Sequence, residues 1–308
     1  MQILQNLSVR AQVVFLIFAV AVIIMITVYT VTTQILLGSY QQIERDTMQQ
    51  NVERADDAIL DSVAHQNTTL KDWAHWTDTY RFATGENPEY IADNLTEDVL
   101  KNLGLNIFII VDEHGAILYS KVIDSDGKEI PGEEINAALT KQEKLTQHTD
   151  LNEVISGILS LQNGLLLVGS SPILTSENEG PSAGSLIFGK FLDTEKISEI
   201  GMLTHLSVSI SDLNDSFLPD DIKVAKANLN DATQFFVAPL SHNRVGSYTA
   251  LRDIYNRVVA IIRVDSSRTI YNQGQQTYTL FVLIVGLSIL IEGLLIILVL
   301  EKILINRF

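Results

Sequence analysis

The 308-residue sequence contains no cysteine, which excludes disulfide bonds and any chemistry that needs a thiolate. Basic residues are also scarce: the region 38–276 has 18 Lys and Arg against 35 Asp and Glu, a net charge of −17. Because so acidic a surface repels phosphate backbones, nucleic acid is not expected as a partner. The sequence has no phosphate-binding loop, GxGxxG run or nucleophile motif, so we predict no catalysis and no cofactor.

Two long apolar runs, Val13–Leu37 and Tyr278–Leu300, stand on either side of this acidic region. The first has 25 uncharged residues, and as a helix it would reach roughly 37 Å, more than the hydrocarbon thickness of about 30 Å. The sequence therefore predicts two transmembrane helices around one domain of about 240 residues. The predicted boundaries are 1–12 for a cytoplasmic N-terminus, 13–37 for the first membrane helix, 38–276 for the extracytoplasmic domain, 277–300 for the second membrane helix and 301–308 for a cytoplasmic stub.

A cleaved signal peptide is the alternative explanation of the first apolar run. Residues 19–21 read Ala-Val-Ala, which resembles a small-residue cleavage site, and Arg10 supplies a positive flank. The run continues to Leu37, however, which is too long for the apolar part of a signal peptide. We therefore favour a retained membrane helix.

The charges at the two ends predict the orientation in the membrane. Arg10, Lys302 and Arg307 are opposed only by Glu301. Positive charge in short flanking segments favours the cytoplasmic side. We expect both termini in the cytoplasm and the acidic domain outside it, in the periplasm for an inner-membrane protein.

The region after the first apolar run has the pattern of one long amphipathic helix. Ser39–Tyr80 contains neither proline nor glycine, and its apolar or bulky positions recur at steps of three and four. These positions are Val52, Ala55, Ile59, Val63, Gln66, Leu70, Trp73, Thr77 and Tyr80. The steps do not form a sustained heptad, which favours packing on its own domain over a coiled coil.

After residue 103 the apolar period changes to that of strands, with short helices between them. The strongest hairpin signal is Asn163-Gly164. Strands are predicted at 106–111, 116–120, 157–161, 165–170, 185–191, 206–210, 234–239, 246–251 and 258–264, and helices at 96–103 (with Thr96 as N-cap), 133–141, 194–202 and 220–227. Together these elements predict an α+β fold in which one antiparallel sheet has helices on one side.

Residues 72–80, Asp-Trp-Ala-His-Trp-Thr-Asp-Thr-Tyr, resemble the signature of the type-four CHASE domain, whose run is Asp-Trp-x-x-Trp-Asp-Asp-x-Tyr. This domain is an extracellular sensory module associated with cyclases and histidine kinases. The likeness spans roughly 42–230 and includes Asn94-Leu95, Asn106, the turn 112–115 and the segment 180–190. Thr77 stands where the family usually has Asp, and Lys190 stands where it often has Arg.

The resemblance implies a PAS-like or Cache-like sensor fold that binds a small molecule. It also implies a cytoplasmic output domain: a diguanylate cyclase or phosphodiesterase of cyclic di-GMP signalling, or a histidine kinase. Only eight residues follow Leu300. We therefore expect the output domain either to be missing from this chain or to lie on another one.

The tryptophan motif supplies the first candidate ligand-binding residues. Trp73, Trp76 and Tyr80 would share one helix face, with Asp78 at its flank. Aromatic faces attract cations by about 0.5–2 kcal/mol, and a carboxylate would supply the opposing charge. The alternative is that these aromatics pack the helix onto the sheet, which is the commoner role of such stripes.

Asn106 and Ser171 are further candidates, since both could line the same cavity. Turn and edge positions explain them equally well. The six histidines have no metal-ligand spacing, so no metal site is predicted. Glu292 lies inside the second apolar run, where a charge costs about 2.5–3.5 kcal/mol, and it marks either a helix contact in a dimer or a protonated side chain without a role.

These observations favour a homodimeric membrane receptor whose domain binds a small molecule between the long helix and the sheet. An interaction receptor without a small-molecule ligand is the alternative, with the loop 175–184 as its contact to another periplasmic protein. The loop is rich in Gly, Pro, Ser and Glu, which is typical of an exposed segment.

Reporter fusions or protease mapping should place Trp76 outside the cytosol, and the mature polypeptide should keep its first apolar run. The expectation follows from the charge distribution at the two ends. Detection of Trp76 on the cytosolic face, or a mature chain that begins after Leu37, would end the receptor interpretation.

Overall fold

A computed structural model of the chain describes residues 9–162 and 164–305, and these residues form two compact units. The first unit contains the described residues up to Thr47, the turn Ser241–Arg244 and the described residues from Ser267 onward. The second contains Met48–Leu240 and Val245–Ser266.

Long helices make up most of the first unit. Helix α1 is Val9–Thr32, a π-helical turn follows at Thr33–Leu37, and helix α2 is Gly38–Ala74. The last helix, α10, is Thr269–Ile305. The spans Ala11–Ala74 and Thr269–Val299 are long and apolar enough to cross a membrane, as the two apolar runs predict.

Aromatic and small residues lie between these helices. The rings of Tyr29 and Tyr278 meet edge to face with centroids 6.2 Å apart, and Thr33 Oγ1 lies 3.1 Å from the Tyr278 hydroxyl. Four residues before Tyr278 on α10, a Cβ atom at Gly274 would lie only 2.5 Å from Cγ of Tyr40. Glycine at this position is what permits the close approach of α10 to α2.

A buried ion pair joins α2 to the beginning of α10. Arg268 Nη2 donates to Glu44 Oε2 at 2.9 Å, and Arg268 Nε donates to the same oxygen at 3.2 Å. The two side chains are only 14% and 8% exposed. The Arg268 guanidinium also lies 4.1 Å from the ring centroid of Tyr271, and its backbone N–H donates to Asn243 O. These contacts fix the position of Arg268, which is the one residue between the last strand and α10.

The long helix ends earlier than the sequence predicts. The prediction of a helix over 39–80 is wrong for its last turns, because α2 ends at Ala74 and Trp76 has an extended backbone. A new helix, α3, begins at Thr77 and ends at Ala83. The Thr77 backbone N–H donates to Ser176 Oγ, so a hydrogen bond to a distant loop replaces one within the helix. No proline or glycine marks this break.

The remaining described helices are short: four lie at the predicted positions, with one correction, and two, Tyr90–Asn94 and Glu143–Thr146, were not predicted. The helix predicted to start at the Thr96 N-cap begins only at Val99, because Asp98 takes the cap position. The bounds are α4 Tyr90–Asn94, α5 Val99–Asn102, α6 Glu133–Thr140, α7 Glu143–Thr146, α8 Thr194–Thr204 and α9 Asp220–Asn228.

The first sheet has five antiparallel strands in the order β2-β1-β5-β4-β3. The strands are β1 Ile107–Val111, β2 Ile117–Val122, β3 Ile155–Leu161, β4 Gly164–Pro172 and β5 Ser185–Phe191. Both predicted hairpins are present, although Asn163 lies outside the described residues. In the β1–β2 turn, Gly115 has a φ of 80° and Asp112 Oδ1 accepts hydrogen bonds from two backbone N–H groups.

A second sheet contains the last four strands in the order β6-β9-β8-β7. The strands are β6 Ser207–Asp212, β7 Phe235–Pro239, β8 Arg244–Arg252 and β9 Val258–Ser267. The prediction of one sheet is therefore wrong, whereas the α+β class is confirmed. Strand periodicity reports which residues face a core but not which strands pair, so the sequence could not separate two sheets.

Helix α2 supplies the core of both sheets. Val52, Ala55 and Ile59 belong to the cluster that contains Ile262 and Val264 of β9. Further along the helix, Leu70 and Ala74 belong to the cluster that contains Phe108, Ile110, Leu186 and Phe188 of the first sheet. The other face of the first sheet packs against Ile135 and Leu139 of α6, so the prediction that helices lie on one side only is wrong. The chain thus has the PAS-like or Cache-like arrangement that the resemblance implies, extended by a second sheet.

Replacing Glu44 with Gln should accelerate amide hydrogen exchange at 268–272, where the backbone N–H of Asn272 donates to Arg268 O. The substitution leaves the Arg268 guanidinium buried without its counter-charge, which costs about 3–5 kcal/mol for a fully buried pair. Mass spectrometry of the full chain in nanodiscs measures the exchange. Asp46→Asn is the matched control, since Asp46 is exposed on the same helix. Unchanged exchange in Glu44→Gln would show that the pair does not order this junction.

Candidate functional site

The tryptophan motif lies at the break between α2 and α3 and forms a continuous aromatic cluster. The rings of Trp73 and Trp76 meet edge to face at 6.0 Å, Trp73 contacts Phe108 at 5.7 Å, and Trp76 contacts Tyr90 at 6.0 Å. Trp73, Trp76 and Tyr80 are half-buried against the core of the first sheet. These contacts are the packing role that the sequence analysis set beside the ligand-binding one.

Tyr90 packs against Trp76 at one side of this aromatic cluster. Its hydroxyl lies 2.9 Å from Thr79 Oγ1, and burial raises the pKa of the Tyr90 hydroxyl to about 12. The ring of Phe82 stacks on Tyr90 at 5.2 Å. The phenol therefore stays protonated at physiological pH and holds α3 against α4 through one hydrogen bond.

Asp78 lies within the motif, and its side chain has no hydrogen bond or ion pair to any described residue. It is half-buried, in the first turn of α3. Tyr80, two residues on, lies beside the loop 175–184: a Cβ atom at Gly180 would be 3.4 Å from its hydroxyl. A carboxylate with no partner in the protein has its hydrogen-bonding capacity open to water or to a ligand.

Asn106 is buried and fully engaged with the backbone. Its Nδ2 donates to the carbonyls of Ile123 and Asp124, and its Oδ1 accepts from the Phe191 N–H. These bonds join the start of β1 to β5 and to the segment after β2. The arrangement matches the structural role that the sequence left open for Asn106.

Ser171 is buried on β4 and connects to the α2–α3 break. Its Oγ lies 3.4 Å from His75 Nε2, while His75 Nδ1 makes a hydrogen bond with Asn178 Oδ1. Burial is the main cause that lowers the pKa of His75. The structure therefore brings Ser171 and the motif to the same side of the first sheet, whereas Asn106 serves the backbone at one end of β1.

Sequence reasoning missed a groove of about 790 Å³ between α2, the first sheet and α8. None of the six predicted ligand-binding residues lines it. Its basic lining residues are Arg54, Lys101, Lys190 and Lys196, and its acidic ones are Asp57, Asp61 and Glu199. Basic side chains thus outnumber acidic ones here, although the domain as a whole is strongly acidic. Of these charged lining residues, the sequence analysis noted only Lys190, which lies at the end of a segment in the family resemblance.

Glu292 lies on α10 as an exposed side chain, without a hydrogen bond or ion pair to the described residues. This placement is compatible with either of the two roles that its position in the apolar run allows.

Asp56 is a half-buried acid on α2. It lines a second groove of about 690 Å³ with Lys226 and Arg252. Burial, with a smaller contribution from repulsion by Asp57, raises the pKa of Asp56 to about 6. Compared with the unfolded chain, the folded domain therefore favours the protonated form of this carboxyl.

The fold and the helices at both ends define a class of protein: a PAS-like or Cache-like sensor domain between two helices of membrane-spanning length. A family model described as the CHASE4 domain matches residues 58–211. The chain belongs to the CHASE4 domain family, and the resemblance seen in the tryptophan motif is confirmed.

Three further proteins are similar to this chain. The chain is 26% identical over 274 residues to the methanogenesis regulatory histidine kinase FilI of Methanothrix harundinacea (strain 6Ac), covering 88% of this chain but 30% of that protein. Among solved structures, it is similar to the ligand-binding domain of the Campylobacter jejuni chemoreceptor Tlp3 in complex with L-valine, with 13% identity, 77% and 97% of the two chains covered and a TM-score of 0.45. The periplasmic domain of Vibrio cholerae LuxQ has 10% identity, 71% and 99% coverage and a TM-score of 0.44.

Replacing Asp56 with Asn should raise the unfolding temperature at pH 7.5 but have little effect near pH 4. The folded-state pKa is above the unfolded value of 3.8, so the stability linked to this proton is complete below about pH 4 and is lost as pH rises through about 6. After discounting for solvent screening of a half-buried group, we expect about 1 kcal/mol, or about 2–4 °C. Tryptophan fluorescence during heating reports the unfolding, because Trp73 and Trp76 are the only two tryptophans.

Asp61→Asn is the matched control, since Asp61 is exposed on the same helix. A pH-independent gain in Asp56→Asn, or an equal gain in Asp61→Asn, would contradict the raised pKa.

Proposed function

We propose that this chain is the input module of an inner-membrane receptor whose domain senses a small molecule in the periplasm. The observation that carries the proposal is the connection between sheet and membrane helix. Strand β9 ends at Ser267 and helix α10 begins at Thr269, so one residue separates a core strand from a helix of membrane-spanning length. A change in the strand has a direct covalent route into the bilayer.

Ligand binding would favour one of two arrangements of the last strand. Such a shift needs only that the ligand binds one arrangement more tightly than the other. It would then move α10 by a small piston or rotation, and a homodimer would pass the movement to a paired output. The Glu44–Arg268 ion pair supports this proposal, because it couples α2 to the residue through which the movement must pass.

A histidine kinase is the output that the similarity to FilI supports. The chain spans about 30% of the length of that relative, so its kinase activity is carried over here as part of the proposal. A diguanylate cyclase or phosphodiesterase is the other output associated with this family resemblance. The next hundred codons of the natural gene would distinguish the two by their motifs.

An interaction receptor without a small-molecule ligand is the second candidate, with the loop 175–184 as its contact. The loop is bound to the domain at several points: Ser176 contacts Thr77, and Asn178 Oδ1 makes a hydrogen bond with His75 Nδ1. These bonds give the loop a defined surface that a protein partner could recognise.

A metabolite screen by thermal shift distinguishes the two candidates. We expect at least one small molecule to raise the unfolding temperature of the full chain in nanodiscs, because a ligand that binds only the folded state stabilises it. Copurification of a periplasmic protein, without any stabilising metabolite, would support the interaction receptor instead.

The predicted ligand residues Trp73, Trp76, Asp78, Tyr80, Asn106 and Ser171 stay a prediction that the same screen tests. Asp78→Ala should keep the unfolding temperature of the unliganded chain and lose the ligand response, since Asp78 has no partner among the described residues. Trp76→Ala should also lose the response, with some loss of stability because Trp76 packs on Trp73 and Tyr90. Normal responses in both folded variants would place the site elsewhere.

A further inference from the structure

We propose that the groove between α2, the first sheet and α8 binds a small monoanionic molecule with an apolar part, through Lys190 and Gln66. The inference rests on the proposed sensor function and deepens it by adding a site separate from the tryptophan motif, with a ligand class of its own. It is carried by two polar side chains that line the groove without a partner in the described protein.

Strand register places Lys190 on the floor of this groove. Lys190 pairs with Leu167 across β5 and β4. Two residues further along β4, a Cβ atom at Gly169 would lie 3.0 Å from Leu70 and 3.7 Å from Gln66 Nε2, so this face of the sheet is turned toward α2. Because residues two apart in a strand share a face, Leu167 and its neighbour Lys190 face α2 as well.

Lys190 is a half-buried cation that lacks a counter-charge. It has no ion pair or hydrogen bond with any described residue, whereas Lys196 in the same groove lies 3.0 Å from Glu199. Removing an ammonium group from water is unfavourable unless an anion or hydrogen-bond acceptor compensates. An anionic ligand would supply this compensation.

Gln66 supplies a neutral hydrogen-bonding group in the same groove. The residue is 8% exposed, and its amide forms no hydrogen bond with the described residues. The amide atoms are not among the fully buried polar atoms that lack a partner, so they are open to the groove, and the NH₂ group can donate to a carboxylate or phosphate oxygen. One anionic group could therefore accept from both Lys190 and Gln66.

The rest of the lining restricts the ligand class. Leu103, Leu105 and Leu167 form an apolar part of the lining, and the volume of about 790 Å³ is within the usual range for small-molecule sites. The carboxylates of Asp57 and Asp61 line the groove from the side of α2 and would repel a second negative charge. A ligand with one negative charge and a hydrocarbon portion therefore fits the apolar lining and the two carboxylates better than a ligand with several negative charges.

Thermal unfolding of the full chain in zwitterionic nanodiscs, followed by tryptophan fluorescence, tests the site with defined probes. We use propionate and hexanoate, their neutral amides propionamide and hexanamide, and the polyanion citrate. We expect hexanoate to raise the unfolding temperature more than propionate does, and the amides and citrate to have little effect.

Two substitutions and one control then locate the binding. Lys190→Gln should weaken hexanoate at least tenfold, and Gln66→Glu should abolish its effect because the new carboxylate repels the probe. Lys128→Gln removes the same charge at an exposed position outside the groove and should respond like the natural chain.

An equal hexanoate response in the natural chain, Lys190→Gln and Gln66→Glu overturns the groove assignment, and so does the absence of any response to the carboxylates. A neutral or cationic metabolite that stabilises the natural chain and Lys190→Gln equally would reject the groove while leaving the sensor function intact. If Lys190→Gln does not fold, Gln66→Glu and Lys128→Gln still decide the question, because neither removes the lysine from the sheet.

Discussion

One apolar stripe on helix α2 is the constraint on which the rest of the second unit depends. Val52, Ala55 and Ile59 are completely buried with the core of the second sheet, while Leu70 and Ala74 are completely buried with the core of the first. Burying an aliphatic side chain of this size contributes about 1.5–3 kcal/mol. Neither sheet has a complete core without this helix, so a change felt by one sheet acts on an element that the other also needs.

The period of three and four along residues 52–70 was sufficient to predict this helix, because its buried face is set by side-chain spacing alone. The strands and hairpins were predictable for the same reason. The break at Trp76 was not predictable, because a hydrogen bond from Thr77 to Ser176, 99 residues away, takes over from the helix. The pairing of the strands into two sheets was not predictable either, because it depends on contacts between distant segments.

The candidate site also has features that local spacing predicts and features that depend on contacts between distant segments. Local spacing identified the aromatic motif, but the prediction that Trp73, Trp76 and Tyr80 share one helix face is wrong, because Trp76 lies at the break between α2 and α3. Asn106 stays a predicted ligand residue, and only the fold shows that its amide binds three backbone groups. The presence of Gln66 and Lys190 in one groove depends on both the turn of a helix and the register of two strands, so no sequence window contains it.

Gly274 limits how far the last helix can travel along its neighbour. Beside it, Tyr40 presents Cβ and Cγ, the rigid base of its side chain, to the bare backbone of α10. A slide by one full helical turn, about 5.4 Å, would bring Ile270 or Tyr278 to that place, and neither side chain fits where a single methyl group would already collide. The close contact between Gly274 and Tyr40 therefore limits any sliding of α10 along α2 to less than one helical turn.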